Sequence, residues 1–226
     1  MLSKSEPLPE GTVIMADNQF AGRGQQENVW HATAGLNLTF SIFLKPTFLP
    51  IEKQFMLNMA VSMGVIKAIR RFVNDSITVK WPNDIYYLNR KIGGILIENS
   101  LSGRIYKSSI IGIGINVNQT QFAESIKEKA VSIVEILQED VNLLTLLKEI
   151  CGDIEAEYLK LKSGAYRNLL ERYLNQLYLF NQNALFKEKD LVFEGKITDV
   201  RESGQLVINR NGINRDYNFK EIEFLR

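Results

Sequence analysis

The stretch from Ser76 to Gln119 narrows most the folds open to this 226-residue chain. It holds four runs rich in strand-forming residues, "SITVKWP", "DIYYLN", "KIGGILIENSL" and "IYKSSIIGIGINVNQ". Polar turns as short as Leu88–Arg90 and Ser102–Arg104 separate them. A parallel crossover needs a dozen or more residues, so turns this short join antiparallel neighbours and the segment reads as a meander. Gly93 with Gly94, and Gly112 with Gly114, weaken two of these runs. A glycine inside a strand marks a bulge, tight packing or a place where something approaches the backbone. Two pairs on neighbouring strands point as much to a ligand wall as to packing.

Around the meander the pattern changes. Val13–Ala16 is short and apolar, and leads straight into a glycine loop. From Leu36 to Leu44 apolar and polar residues alternate, with Phe43 the exception, which predicts a strand. Pro46 and Pro50 bracket a loop, and helical spacing then predicts an amphipathic helix from Ile51 to Val73. Helix returns from Leu143 to Leu179, with a break expected at Ser163–Gly164. The remainder is short strands with turn pairs Ser203–Gly204 and Asn211–Gly212, a small β-barrel by its pattern. The expected division is residues 1–181 and residues 182–226.

Composition removes several classes of function. Lys+Arg number 27 and Asp+Glu 26, so no basic field favours nucleic acid and any anion must be met locally. The single Cys151 excludes a disulfide framework, no apolar run approaches the ~18 residues of a membrane span, and no signal-peptide pattern is present. The expected home is the cytoplasm. With one histidine and one cysteine, zinc would need several carboxylates, and no cluster is spaced for it.

Four features bear side chains suited to chemistry. In "FAGRGQQENVW", Gly22 and Gly24 open backbone N–H groups to an anion and Arg23 adds a permanently charged fork. In "VKWPNDIYY", Pro82 must break the strand after Trp81, which predicts Asn83 and Asp84 exposed at a turn. Lys91 enters an apolar strand just before Gly93 and Gly94, where a point charge would reach a carboxylate or phosphoryl oxygen. Asn116 emerges from a glycine-bearing strand, as a turn cap or as an amide that reads a base or sugar edge. Taken singly, each fits an ordinary turn, a solvated lysine or a packing glycine.

Their order does not. The series GRG…W, KWPND, RKIGGILIE and GIGIN resembles the motif series of biotin–protein ligases, from about Pro7 to the C-terminus. The resemblance implies an α/β (α+β) fold: a mixed, largely antiparallel sheet backed by helices, followed by an SH3-like barrel. It implies that biotin is joined to ATP, with Mg²⁺, and passed from biotinyl-adenylate to a lysine of a biotin carboxyl carrier protein. Matched residue by residue, Gln19 would bind the biotin ring, and Gly22, Arg23, Gly24 and Gln25 would form the loop over biotin and adenylate with Trp30 packed inside. Lys91, beside Gly93 and Gly94, would contact the biotin carboxylate and α-phosphate. Asn83 and Asp84 would lie near the nucleotide and Mg²⁺, the latter by Asp84, with Gly114 and Asn116 near the adenosine. Lys91, Arg23 and Asp84 are the expected catalytic set.

The chain also departs from the pattern. Gln25 stands where many relatives have arginine, and Ala32-Thr33 replace a frequent Ser-Pro. The family's Ser/Thr-Asn segment and the helix-turn-helix of its repressor-type members are not found in the sequence, so DNA binding is not expected. His31 is expected to be incidental. Two other readings stay open at this point: a lipoate or octanoyl ligase, and a non-catalytic biotin- or carrier-binding protein. An exposed sheet edge near the start would also suit pairing with a second copy as a homodimer.

Overall fold

The computed structural model describes residues 8–25 and 29–225. Six strands form the main sheet: β1 (Thr12–Met15), β4 (Leu38–Leu44), β5 (Ile77–Lys80), β6 (Asp84–Tyr87), β7 (Arg90–Ser102) and β8 (Ile105–Ile115), in the spatial order β1-β4-β8-β7-β6-β5. Consecutive β5, β6, β7 and β8 pair antiparallel, as the short turns require. The remaining pairs, β1 with β4 and β4 with β8, are antiparallel too. The sheet is thus largely antiparallel, as expected, and among the described residues parallel pairing is confined to isolated bridges such as Val79 with Leu177. A separate two-stranded hairpin joins β2 (Gly22–Arg23) to β3 (Val29–Trp30).

One face of the sheet is covered by α1 (Phe55–Arg70), on which only Lys67 and Arg70 escape burial. A helix apolar nearly all round must be sandwiched, and α1 lies between the sheet and α3 (Leu143–Lys162). Gly64 permits that crossing: a Cβ there would stand 2.7 Å from the backbone of Ile154. The helix expected from Ile51 to Val73 is shorter, because Pro50 leads into a 3₁₀ turn over Ile51–Lys53 before the α-helix starts. Gly164 at φ +83° ends α3 at the expected break, and α4 (Tyr166–Leu174) follows. In chain order β8 is followed, before α3, by α2 (Ile133–Leu137), whose Ser132 and Glu135 form a capping box that sequence periodicity did not expose.

The C-terminal strands are β9 (Asn183–Glu188), β10 (Leu191–Val200), β11 (Leu206–Arg210), β12 (Ile213–Tyr217) and β13 (Glu223–Phe224). They form a five-stranded sheet in the order β12-β11-β10-β9-β13, consistent with the expected small SH3-like unit, though β12 and β13 stand at its edges and do not close it into a barrel. Asn211 (φ 52°) and Gly212 (φ 82°) make the two-residue turn that their sequence predicts. The β10–β11 turn seats this sheet on the rest of the chain. Trp81 Nε1 donates to the Gly204 carbonyl at 2.8 Å, and Phe219 packs against the rings of Trp81 and Phe55.

Candidate active site

Strand alternation splits the main sheet into two faces. Leu38, Phe40 and Ile42 of β4, Ile111, Ile113 and Ile115 of β8, and Ile95 of β7 belong to the core shared with α1. The residues between them floor a cavity of about 420 Å³ on the opposite face. Register sets these residues in cross-strand rows. Thr39, Gly114, Gly94 and Asp84 stand side by side on four adjacent strands. The next row is Ile14, Ser41, Gly112 and Leu96, and the third contains Phe43, Ile110 and Glu98. Three of the four glycines in β7 and β8 therefore leave a band of bare backbone across the middle of the floor.

Lys91 reaches the end of the first row. Its Nζ lies 2.6 Å from Asp84 Oδ1 and 3.5 Å from where a Gly94 Cβ would be. An irregularity in the β6–β7 register between Ile85 and Tyr86 brings the two side chains together. The Lys91 backbone is fixed as well: its N–H donates to Lys129 O and its carbonyl accepts from Val131 N.

The β2–β3 hairpin roofs this floor. Trp30 lies over Gly114, where a Cβ would meet its Cε2 at 2.5 Å, and Lys91 Nζ is 6.0 Å from the indole centroid. Trp30 Nε1 is buried without a hydrogen-bond partner among the described residues. Arg23 extends outward, its Nη2 3.1 Å from Glu98 Oε2. Beyond the hairpin, Gln119 Oε1 accepts from both Thr33 N and Asn37 Nδ2, while Asn37 Oδ1 accepts from Val117 N. This buried amide pair ties the exit of β3 to the end of β8.

Ten of the expected site residues reach the cavity wall: Gln19, Arg23, Gly24, Gln25, Trp30, Asn83, Asp84, Lys91, Gly94 and Gly114. Gly22, Gly93 and Asn116 do not. Gly22 packs under the Trp30 carbonyl, and Gly93 faces the other side of the sheet, where a Cβ would lie 2.5 Å from Ile115 Cδ1. Asn116 is buried with its amide donating to Val131 O, which ties β8 to the segment before α2. Asn83 does line the wall, but the exposed turn is corrected: it is 9% exposed, and its Nδ2 donates to Ile95 O. His31 is exposed and off the wall. Residues 26–28 of the loop lie outside the described residues. Sequence reading missed Thr39, Ser41, Leu96 and Glu98; their signal was strand alternation, legible once Gly112 and Gly114 are known to face the cavity.

Among the described residues no group of three or more His, Cys, Asp or Glu is placed to hold a metal. No helix there is long and apolar enough to cross a membrane.

Comparison with known proteins gives this geometry its context. The model of the biotin/lipoate A/B protein ligase family matches residues 2–116. The bifunctional ligase/repressor BirA of Bacillus subtilis is 30% identical over 212 residues, covering 92% of this chain and 65% of that protein. Its Escherichia coli counterpart is 25% identical, covering 94% of this chain and 66% of that one. The chain thus spans just under two thirds of the length of these curated relatives. A biotin protein ligase from Aquifex aeolicus, solved with biotin and ATP, superposes with a TM-score of 0.83 at 26% identity, over 100% of this chain and 93% of that one. With more than half of its length matched by the family model, the chain belongs to the biotin/lipoate A/B protein ligase family.

Proposed function

We propose that the chain activates biotin with ATP and transfers the biotinyl group to a lysine of a biotin carboxyl carrier protein. In the first step a carboxylate oxygen of biotin attacks the α-phosphorus, the bond to the bridging oxygen breaks, and pyrophosphate leaves. In the second, the lysine nitrogen attacks the acyl carbon, AMP leaves and the amine loses its proton. The observation that carries this reading is the Lys91–Asp84 pair at the end of a floor thinned to backbone by Gly94, Gly112 and Gly114. Two anions repel as they meet, and an ammonium fixed where they converge offsets that repulsion and stabilises charge building at phosphorus.

The apolar tail of biotin fits the glycine band beneath Trp30, with its carboxylate at Lys91. Gln25 and Asn83 border the same space on the nucleotide side. Magnesium would arrive with the nucleotide: it is commonly held by one or two carboxylates plus substrate phosphates, and Asp84 offers one such carboxylate. Its contribution would be to neutralise phosphate oxygens. We also assign the site to residues 1–181, with residues 182–226 as a buttress, and place the protein in the cytoplasm. A second copy would pair at β1, a sheet edge with Val13 and Ile14 exposed.

The family name includes lipoate, and the floor favours biotin. Ser41 and Gln19 bring polar side chains to the cavity lining, which suits a ureido ring; an apolar dithiolane would leave such groups unpaired, at about 1–3 kcal/mol each. Thermal-shift titration with biotin and with lipoate, paired with pyrophosphate release from ATP, tests the assignment. Stabilisation and turnover with biotin are expected, and a response to lipoate alone would reject it.

A further inference from the structure

The hairpin that roofs the cavity is too small to hold its own position. Among the described residues it has two residue pairs, Gly22 with Trp30 and Arg23 with Val29, and joins neither larger sheet. A two-stranded hairpin is marginal in water even at greater length, so, beyond the Thr33–Gln119 bond at the exit of β3, side-chain contacts with the cavity floor help place it. Two of these are visible. The Trp30 indole rests on Gly114 of β8, and Arg23 pairs with Glu98 of the adjoining β7.

Glu98 lies on the cavity face four residues along β7 from Gly94, on the order of 13 Å at strand spacing. Arg23 is therefore engaged at the far end of the floor from the Lys91–Asp84 pair. Its neighbours on the wall there, Ile110 and Leu96, are apolar, and a lone carboxylate among them would suit no apolar ligand. Paired with Arg23, the same carboxylate is neutralised and becomes an attachment point.

We infer that Glu98 is a positioning residue: through Arg23 it fastens the β2–β3 hairpin to the sheet and so sets Trp30 over Gly114, while Lys91 is the cation that meets the substrate anions. Arg23 then serves ligand binding through the placement of Trp30. The ligand named in the test rests on the function proposed above; the attachment itself does not.

The test uses Glu98→Gln, Arg23→Glu and the exchange Arg23→Glu with Glu98→Arg. Acrylamide quenching of tryptophan fluorescence is read without ligand, and biotin affinity and pyrophosphate release are read beside it. Trp81 is buried and bonded to Gly204, so a change in quenching reports Trp30. Exposed pairs couple by about 0.2–1 kcal/mol, up to about five-fold in an equilibrium. Glu98→Gln should raise quenching and weaken biotin binding within that range, raising KM for biotin more than it lowers kcat. Arg23→Glu should do so more strongly, and the exchange should return both readings toward the parent. Unchanged quenching in Glu98→Gln, or an exchange no better than Arg23→Glu, would overturn the inference and leave Arg23 acting on the ligand itself. If the parent binds no biotin, the proposed function fails while unliganded quenching still decides the attachment.

Discussion

Trp30 and Gly114 meet ring to backbone: a methyl group on Gly114 would stand 2.5 Å from Cε2 of the indole. A methyl group on Gly112, in the next row, would come no nearer than 3.6 Å to a neighbour, the Leu96 carbonyl. The two glycines thus share a floor but answer to different constraints, one set by the protein and the other by whatever fills the cavity.

Substituting them separates the two. Gly114→Ala should displace Trp30, raise acrylamide quenching and weaken biotin binding at least tenfold, about 1.4 kcal/mol. Gly112→Ala should leave quenching unchanged and weaken biotin binding by placing a methyl group where the ligand lies. Equal quenching in the two variants would contradict the ring-to-backbone contact as the reason for Gly114.

Lys91→Ala should lower the rate of pyrophosphate release about 10²- to 10³-fold, the usual effect of deleting one group that stabilises transition-state charge. Biotin affinity should fall far less, because the charge is needed most as negative charge builds at phosphorus. Stopped-flow or single-turnover release, measured beside equilibrium biotin binding, checks the split. Loss of affinity with an intact rate would remove Lys91 from the chemistry.

Trp81→Phe should destabilise the chain by about 1–3 kcal/mol, since the Gly204 carbonyl loses a buried donor. At about 2–4 °C per kcal/mol for chains of this size, scanning calorimetry would register a clear drop in Tm. An unchanged Tm would mean that the C-terminal sheet is seated by its aromatic contacts alone.

Acid should weaken the helical layer in a defined direction. Burial alone would raise the carboxyls of Asp153 and Glu157, but Lys67 and Arg71 around the first, and Arg172 and Lys160 around the second, hold both below their ordinary values. A depressed carboxyl contributes stability that is full above its unfolded pKa and is lost as pH falls through the folded one. The contribution should therefore be constant above about pH 5 and decline below the ordinary values of 3.8 and 4.5. Urea midpoints of Asp153→Asn with Glu157→Gln should lie lower at neutral pH and fall less on acidification than the parent's. Parallel curves would contradict the assignment.

What could be read from sequence, and what could not, follows from the range of each signal. Turn lengths between β5 and β8 dictated antiparallel neighbours, and the glycine at 164 and the pair Asn211–Gly212 marked a helix end and a hairpin through local backbone needs alone. Gly94, Gly112 and Gly114 suggested a ligand wall, yet their shared face, with Gly93 turned to the core, depends on cross-strand register. Likewise the Asn37–Gln119 pair and the Arg23–Glu98 bridge join residues 82 and 75 positions apart. Nothing in local pattern announces them. Asn83 was misread because a Pro-Asn-Asp turn is usually solvated, and here the Ile95 carbonyl draws its amide inward.

The most direct test is intact-mass spectrometry of a biotin carrier domain incubated with this chain, biotin, ATP and magnesium. The account predicts the addition of one biotinyl group to a single lysine, dependent on ATP and abolished by Lys91→Ala. An unmodified carrier, or modification with lipoate in place of biotin, would contradict it.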